Sequence, residues 1–288
     1  MSLMFVDFHS HIFTPQIFDN IESKATVAKA LNLRVAEARL RMKPSHLEQS
    51  LIDNGFLFCV TLPSASADKA RKINDRFYEI SQRYDRILTF ATLHPEMNDY
   101  ESEVQRTLER GIRGFKFSSF SQKFDLLSPE SSKMLAIIQK YAKRMGIVPT
   151  VVFDTFCKAD KGFGAEPNHL TTPDRLSEVY PAYPGINFVG AHMGGLMADF
   201  DDLKKHLQPA SNFYLDTSNA AHTLERAQFV ELLKIHGSSN ILFGTDWPWF
   251  THSEEIAIVD SLLRDAGFSE TDRENVFRNN ALRLLKMA

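Results

Sequence analysis

Short apolar runs alternate with segments of helical period along most of the chain, and each run stops at a polar or turn-forming residue. The first run is Met4-Phe5-Val6-Asp7-Phe8, ending in His9-Ser10-His11. Further strands are predicted at Phe56–Leu62, Ile87–Leu93, Gly114–Ser118, Val148–Phe153, Ile186–Ala191, Phe213–Asp216 and Ile241–Gly244. Between them the pattern turns helical. Ala67–Tyr84 places Ile73, Phe77 and Ile80 on one face, Tyr100–Arg110 and Pro129–Met145 follow, Asp174–Tyr180 is shorter, and Asp272–Leu285 closes the chain. Ser45 with Glu48 three residues later reads as a capping box for a helix ending near Asn54-Gly55. Lys158–Asn168 reads as a long glycine-containing loop.

Eight strands separated by helices predict a single α/β domain over residues 1–288, a closed (β/α)8 TIM barrel, because parallel neighbours need crossovers and both sheet faces must be covered. The stretch from Ile12 to Pro44 is too long for a simple loop and predicts a helical insertion after strand 1. An open doubly wound sheet would carry a glycine-rich turn after its first strand, where this chain has His-Ser-His.

Composition narrows the classes. The chain has 288 residues, 43% hydrophobic, with 23 Phe to fill a core. A net charge of −3 without a basic block argues against nucleic acid. Cys59 and Cys157 form no secreted-type framework and are expected as unpaired thiols. Asp7 interrupts the opening apolar stretch, and no run reaches the roughly 18 apolar residues of a membrane span, so a cytoplasmic protein that does not enter a membrane is expected.

The candidate chemistry collects at strand ends. His9 and His11 are two residues apart and share a strand face, as two imidazole ligands of one metal ion must. Asp154 ends strand 5, His192 strand 6 and Asp246 strand 8, and barrel enzymes carry their sites at the C-terminal ends of strands. Ordinary rim or core residues are the alternative. No Gly-x-Ser-x-Gly elbow supports a serine hydrolase.

In order and spacing, Val6-Asp7-Phe8-His9-Ser10-His11, Arg113-Gly114-Phe115-Lys116-Phe117, Ala191-His192-Met193-Gly194-Gly195, Asp216-Thr217-Ser218, Phe243-Gly244-Thr245-Asp246-Trp247-Pro248 and Asn279-Asn280-Ala281-Leu282-Arg283-Leu284-Leu285 resemble the amidohydrolase superfamily. Within it they match the amidohydrolase-2 group of TIM-barrel metal-dependent hydrolases and decarboxylases. The resemblance implies that His9 and His11 are metal ligands and that His192 is a ligand or the catalytic imidazole. Asp246 would be a ligand that also takes a proton from the attacking water.

Two positions depart from the group's pattern. Where it ends strand 5 with a histidine ligand, this chain has Phe153-Asp154, and Asp154 is the expected replacement ligand, against a loop-starting Asp bonded to its own backbone. After strand 4, Lys116 is followed by Phe117-Ser118 rather than His-Pro. A strand-4 lysine is carbamylated in some branches; here an unmodified Lys116 that pairs with an acid or binds a substrate carboxylate is expected.

Arg175 and Trp247 complete the expected substrate-binding set with Lys116, for a small acid or ester, with or without a ring. The first functional expectation is a hydrolase of small amides, esters or lactones that uses water activated by one divalent ion, with zinc first and manganese, iron or cobalt as alternatives. Non-oxidative decarboxylation of an aromatic acid is the second, and a non-catalytic binding barrel the third. A homodimer is the assembly considered.

Overall fold

The computed structural model describes residues 4–287, and the chain divides into two compact units. The first comprises Met1–Thr61, Ile80–Leu88 and Leu215–Ala288, the second Leu62–Glu79 and Thr89–Tyr214. In the first, β1 (Phe5–Ser10) runs parallel to β2 (Phe56–Thr61). The pairing slips between Asp7↔Cys59 and Ser10↔Thr61, so β1 carries an extra residue there, a bulge just where its polar residues begin.

The predicted third strand is broken. It forms β3 (Ile87–Thr89) and β4 (Ala91–Thr92), interrupted at Phe90. In the second unit β4, β5 (Gly114–Phe117), β6 (Thr150–Phe153) and β7 (Asn187–Gly190) pair in parallel. The Phe90 ring lies where a side chain at position 114 would stand: a Cβ on Gly114 would fall 2.4 Å from Cε2 of Phe90. The buried Asn74 side chain holds β4 on both polar groups of one residue, donating to Thr92 O at 2.9 Å and accepting from Thr92 N at 2.8 Å. The first unit also holds the register of β8 (Phe213–Asp216) on β9 (Ile241–Leu242), with Leu215↔Ile241 and Asp216↔Leu242.

Helices fill the intervals. After β1 come Pro15–Glu22, Ala25–Ala30 and Val35–Leu40, the predicted insertion. The helix expected to start with a Ser45 cap instead runs Pro44–Asp53. Proline at the first helical position, with its fixed φ and no N–H to satisfy, puts Lys43 at the cap. The loop after β6 contains a short helix, Asp160–Phe163, and the closing helix is interrupted by a π turn at Asn275–Asn279. Cys59 and Cys157 are free thiols. No described helix is long and apolar enough to cross a membrane.

Asp7 ties the first unit together. Wholly buried, its carboxylate accepts from the N–H groups of His9 and Thr245, both at 3.0 Å, and from the hydroxyls of Ser10 and Thr245, the latter at 2.6 Å. His252 Nε2 lies 3.2 Å away, and Ser50 Oγ holds the other face of that ring at 2.8 Å. The backbone adds Phe8 N–H to Phe243 O, Asp246 N–H to His9 O and His11 N–H to Trp247 O. The segment 243–247 therefore extends β9 alongside β1.

Two stability measurements follow. Gly114→Ala must displace the Phe90 ring and is expected to lower unfolding free energy by about 1–3 kcal/mol in denaturant titrations. Burial pushes the His236 pKa down to about 4, below its ordinary 6.5. The unfolded chain then binds the extra proton, so this contribution is complete above pH 6.5 and lost as pH falls toward 4. The loss is about 3 kcal/mol, and denaturation of His236→Leu at several pH values should show a flatter profile over that window.

Candidate metal centre

Three donor atoms converge in the first unit. His9 Nε2 lies 3.1 Å from His11 Nε2, which lies 3.1 Å from Asp246 Oδ1, and the remaining edge, His9 Nε2 to Asp246 Oδ1, is 3.9 Å. Among the described residues these three form a group able to hold a metal ion. A divalent ion about 2.1 Å from each donor sets neighbouring donors about 3.0–3.4 Å apart at right or tetrahedral angles, and two of the three edges fit that spacing. His9 and Asp246 are buried and His11 is partly exposed, so the cluster is open on one side.

Each donor is aimed by its surroundings. The His9 ring is fixed from behind: Nδ1 lies 2.8 Å from Asp216 Oδ2 and 3.0 Å from Ser218 Oγ, and Ser218 in turn bonds Asp216. A proton on Nδ1, donated to that carboxylate, leaves Nε2 with its lone pair toward the cluster, the orientation a metal-binding imidazole needs. Gly244 lets the two segments approach: a Cβ there would sit 2.7 Å from the Cβ of His9. Asp246 has a left-handed backbone (φ +58°), held by its N–H to His9 O and by Trp249 N–H to its own carbonyl, both 2.9 Å. Aspartate tolerates that conformation better than most residues, and here it turns the carboxylate toward the histidines.

Beside His11 stands an aromatic surface. The Phe13 ring stacks on the His11 ring, 4.9 Å between centroids and 16° between planes, with Trp249 5.1 Å from Phe13 and Phe18 behind both. Trp247 is not part of that surface. It is buried, stacked on His252 and covered by the Arg41 guanidinium, whose Nε donates to Pro248 O at 2.8 Å.

The second unit groups the other expected residues. Asp154 Oδ2 lies 3.4 Å from Lys116 Nζ and 3.3 Å from Ser118 Oγ, and its Oδ1 lies 3.6 Å from His192 Nε2. Lys116 is almost wholly buried, and its ammonium has no hydrogen-bond partner among the described residues, the Asp154 carboxylate lying 3.4 Å away. His192 and Met193 both have left-handed backbones (φ +57° and +53°) before Gly194 and Gly195. Phe153 is core, packed between Phe117 and Phe188. Arg175 is engaged by the Asp125 carboxylate and the carbonyl of Asn168.

Asp216 and Asn219 received no role from sequence. Asp216 lies 207 positions from the ring it orients, and its visible signal is a carboxylate ending an apolar strand.

The chain belongs to the amidohydrolase family, whose model matches residues 6–287. It is 24% identical over 305 residues to the gamma-resorcylate decarboxylase of Rhodococcus jostii (strain RHA1), covering 88% of each chain. A TIM-barrel protein of Bordetella bronchiseptica superposes with a TM-score of 0.71 at 16% identity, over 99% of both chains. A dihydroxybenzoic acid decarboxylase of Polaromonas sp. JS666, solved with manganese and the inhibitor 2-nitroresorcinol, gives 0.68 at 18% identity, over 99% of this chain and 96% of that one. These likenesses show the fold, a (β/α)8 barrel with a helical insertion after its first strand.

Two expectations are corrected. These relatives with a named activity cleave a carbon–carbon bond, which overturns the hydrolase reading, and the metal in the Polaromonas structure is manganese, which removes the support for zinc. The physical reason is the same for both. A His-x-His and a strand-end aspartate report that a cation is held, and neither specifies the bond broken or selects among ions that accept nitrogen and carboxylate donors.

Asp216→Ala should free the His9 ring and weaken divalent-ion binding by about 10–100-fold in calorimetric titration, with little change in fold by circular dichroism.

Proposed function

We propose that this member of the amidohydrolase family is a metal-dependent, non-oxidative decarboxylase of a small aromatic carboxylic acid, with manganese as the working ion. The observation that carries the reading is the half-buried Phe13 ring stacked on His11, one of the three donors, with the buried Trp249 tilted behind it. A planar ring fits such a wall, and its carboxylate or a ring oxygen would then face a cation. The relatives named above support the same reaction class.

The donors fit the ion. His9, His11 and Asp246 would hold it, with Asp216 fixing His9. When bound, a divalent ion supplies Lewis-acid stabilisation of negative charge on a substrate oxygen. Decarboxylation breaks the bond between ring and carboxylate, releases CO2, and requires one proton at the ring carbon left behind. In the second unit, His192 is the imidazole proposed to give that proton and Lys116 the ammonium proposed to bind a substrate anion. Asp154 holds both through its ion pairs, which supports a role in positioning them. Arg175 is occupied by Asp125, which leaves Lys116 the stronger candidate for the substrate anion.

The test is a panel of hydroxylated benzoates supplied to manganese-loaded protein. Release of CO2 is expected, abolished by a chelator, restored by Mn2+, and reduced at least about 100-fold in His11→Ala. Turnover of amide, ester or lactone substrates with no CO2 from any acid would overturn the reading.

A further inference from the structure

The turn after β8 holds a second set of polar side chains, and none of them belongs to the donor triangle. Asn219 has a left-handed backbone (φ +54°), is buried, and donates from Nδ2 to Asp246 Oδ2 at 3.4 Å. Its own Oδ1 is buried without a hydrogen-bond partner among the described residues. Three residues on, His222 Nε2 lies 2.6 Å from Glu255 Oε1, and the His222 ring stacks on Phe250 with 3.8 Å between centroids and 3° between planes. Glu255 is wholly buried, and its Oε2 also has no partner among the described residues. Burial holds the Glu255 carboxyl above its ordinary range, an effect that Glu254 and Asp246 add to and His222 opposes. Asn32 Nδ2 donates to His222 O, which fixes the turn from the insertion side.

The arrangement is costly by itself. A left-handed backbone at a non-glycine residue and a buried acceptor without a hydrogen bond each cost folding free energy. The bond from Asn219 to the carboxylate of Asp246 is what this turn contributes to the metal centre. Asp246 presents Oδ1 to His9 and His11, and Asn219 takes Oδ2.

We propose that Asn219 is a positioning residue that holds Asp246 to the ion through one oxygen only, and that the His222–Glu255 pair acts through Asn219 by locking the turn that carries it. This rests on the metal site proposed above. With Oδ2 occupied by an amide donor, the carboxylate cannot swing to chelate with both oxygens. A coordination position therefore stays open for the substrate. The stacked, hydrogen-bonded His222 prevents the turn from rotating Asn219 away.

The experiment uses the full chain and Mn2+ alone, read by calorimetry and by electron paramagnetic resonance of bound Mn2+. Binding to the unaltered protein tests the metal site itself. Asn219→Gly keeps the left-handed backbone while deleting the amide, so it should fold with a melting temperature no lower than the parent's. It should change the Mn2+ affinity about 10-fold or more and alter the spectrum of the bound ion. Affinity within twofold of the parent, with an identical spectrum, would overturn the role of Asn219. His222→Gln should cause a smaller change that disappears in the Asn219→Gly background, with Glu255→Gln, which keeps an acceptor for His222, closer to the parent. Additive effects of His222→Gln and Asn219→Gly would overturn the coupling.

Discussion

A single buried carboxylate organises the first unit. Asp7 has no access to water, and an ionised carboxylate there is tolerable only because backbone and hydroxyl donors from two chain segments surround it, with a histidine alongside. Those donors come from His9 and Ser10 on one side and Thr245 on the other. The same bonds that neutralise the buried charge therefore bring the strand bearing His9 and His11 beside the segment bearing Asp246. The grouping of the three candidate metal donors is a by-product of solving a solvation problem beneath them, and removal of Asp7 would leave several unpaired hydrogen-bond donors rather than one.

The donor triangle was legible in the chain because His9, His11 and Asp246 stand at the ends of apolar runs, where a barrel collects its chemistry. What orients them was not. Asp216 and Asn219 act across turns whose geometry depends on a left-handed residue, and no local pattern distinguishes Asn219 from any other loop asparagine. Asp154 shows a different limit. Its position at the end of a strand was readable, while its involvement with Lys116 and His192 depends on side-chain reach across two neighbouring strands. The break at Phe90 was hidden for a related reason: it reflects a ring filling the space above Gly114, a contact between residues 24 apart. The reaction itself was the least legible feature, since the ligands that hold a cation are shared by enzymes that hydrolyse and enzymes that decarboxylate.

Backbone strain marks the polar ends of strands in both units. Asp246 and Asn219 in one, and His192 and Met193 in the other, all occupy left-handed conformations without being glycine. Each such residue gives up stability that the surrounding packing must restore, and Gly244 and Gly195 allow close approach beside them, against His9 and against Ala198 and Leu203. Rigid strands deliver the side chains, and the turns immediately beyond them spend conformational energy on aim.

The insertion between β1 and β2 supplies Phe13 and Phe18 and fixes the His222 turn through Asn32, yet it contributes none of the three donor atoms. Under the proposed function, the insertion therefore shapes part of what a substrate meets beside His11 while supplying none of the groups that hold the ion. The side chains beside His11 can drift, or be redesigned, by exchanging Phe13 and Phe18 while Asn32 and the three donor residues stay unchanged. A library restricted to Phe13 and Phe18 would accordingly change what can lie against His11 without altering any of the three donor side chains.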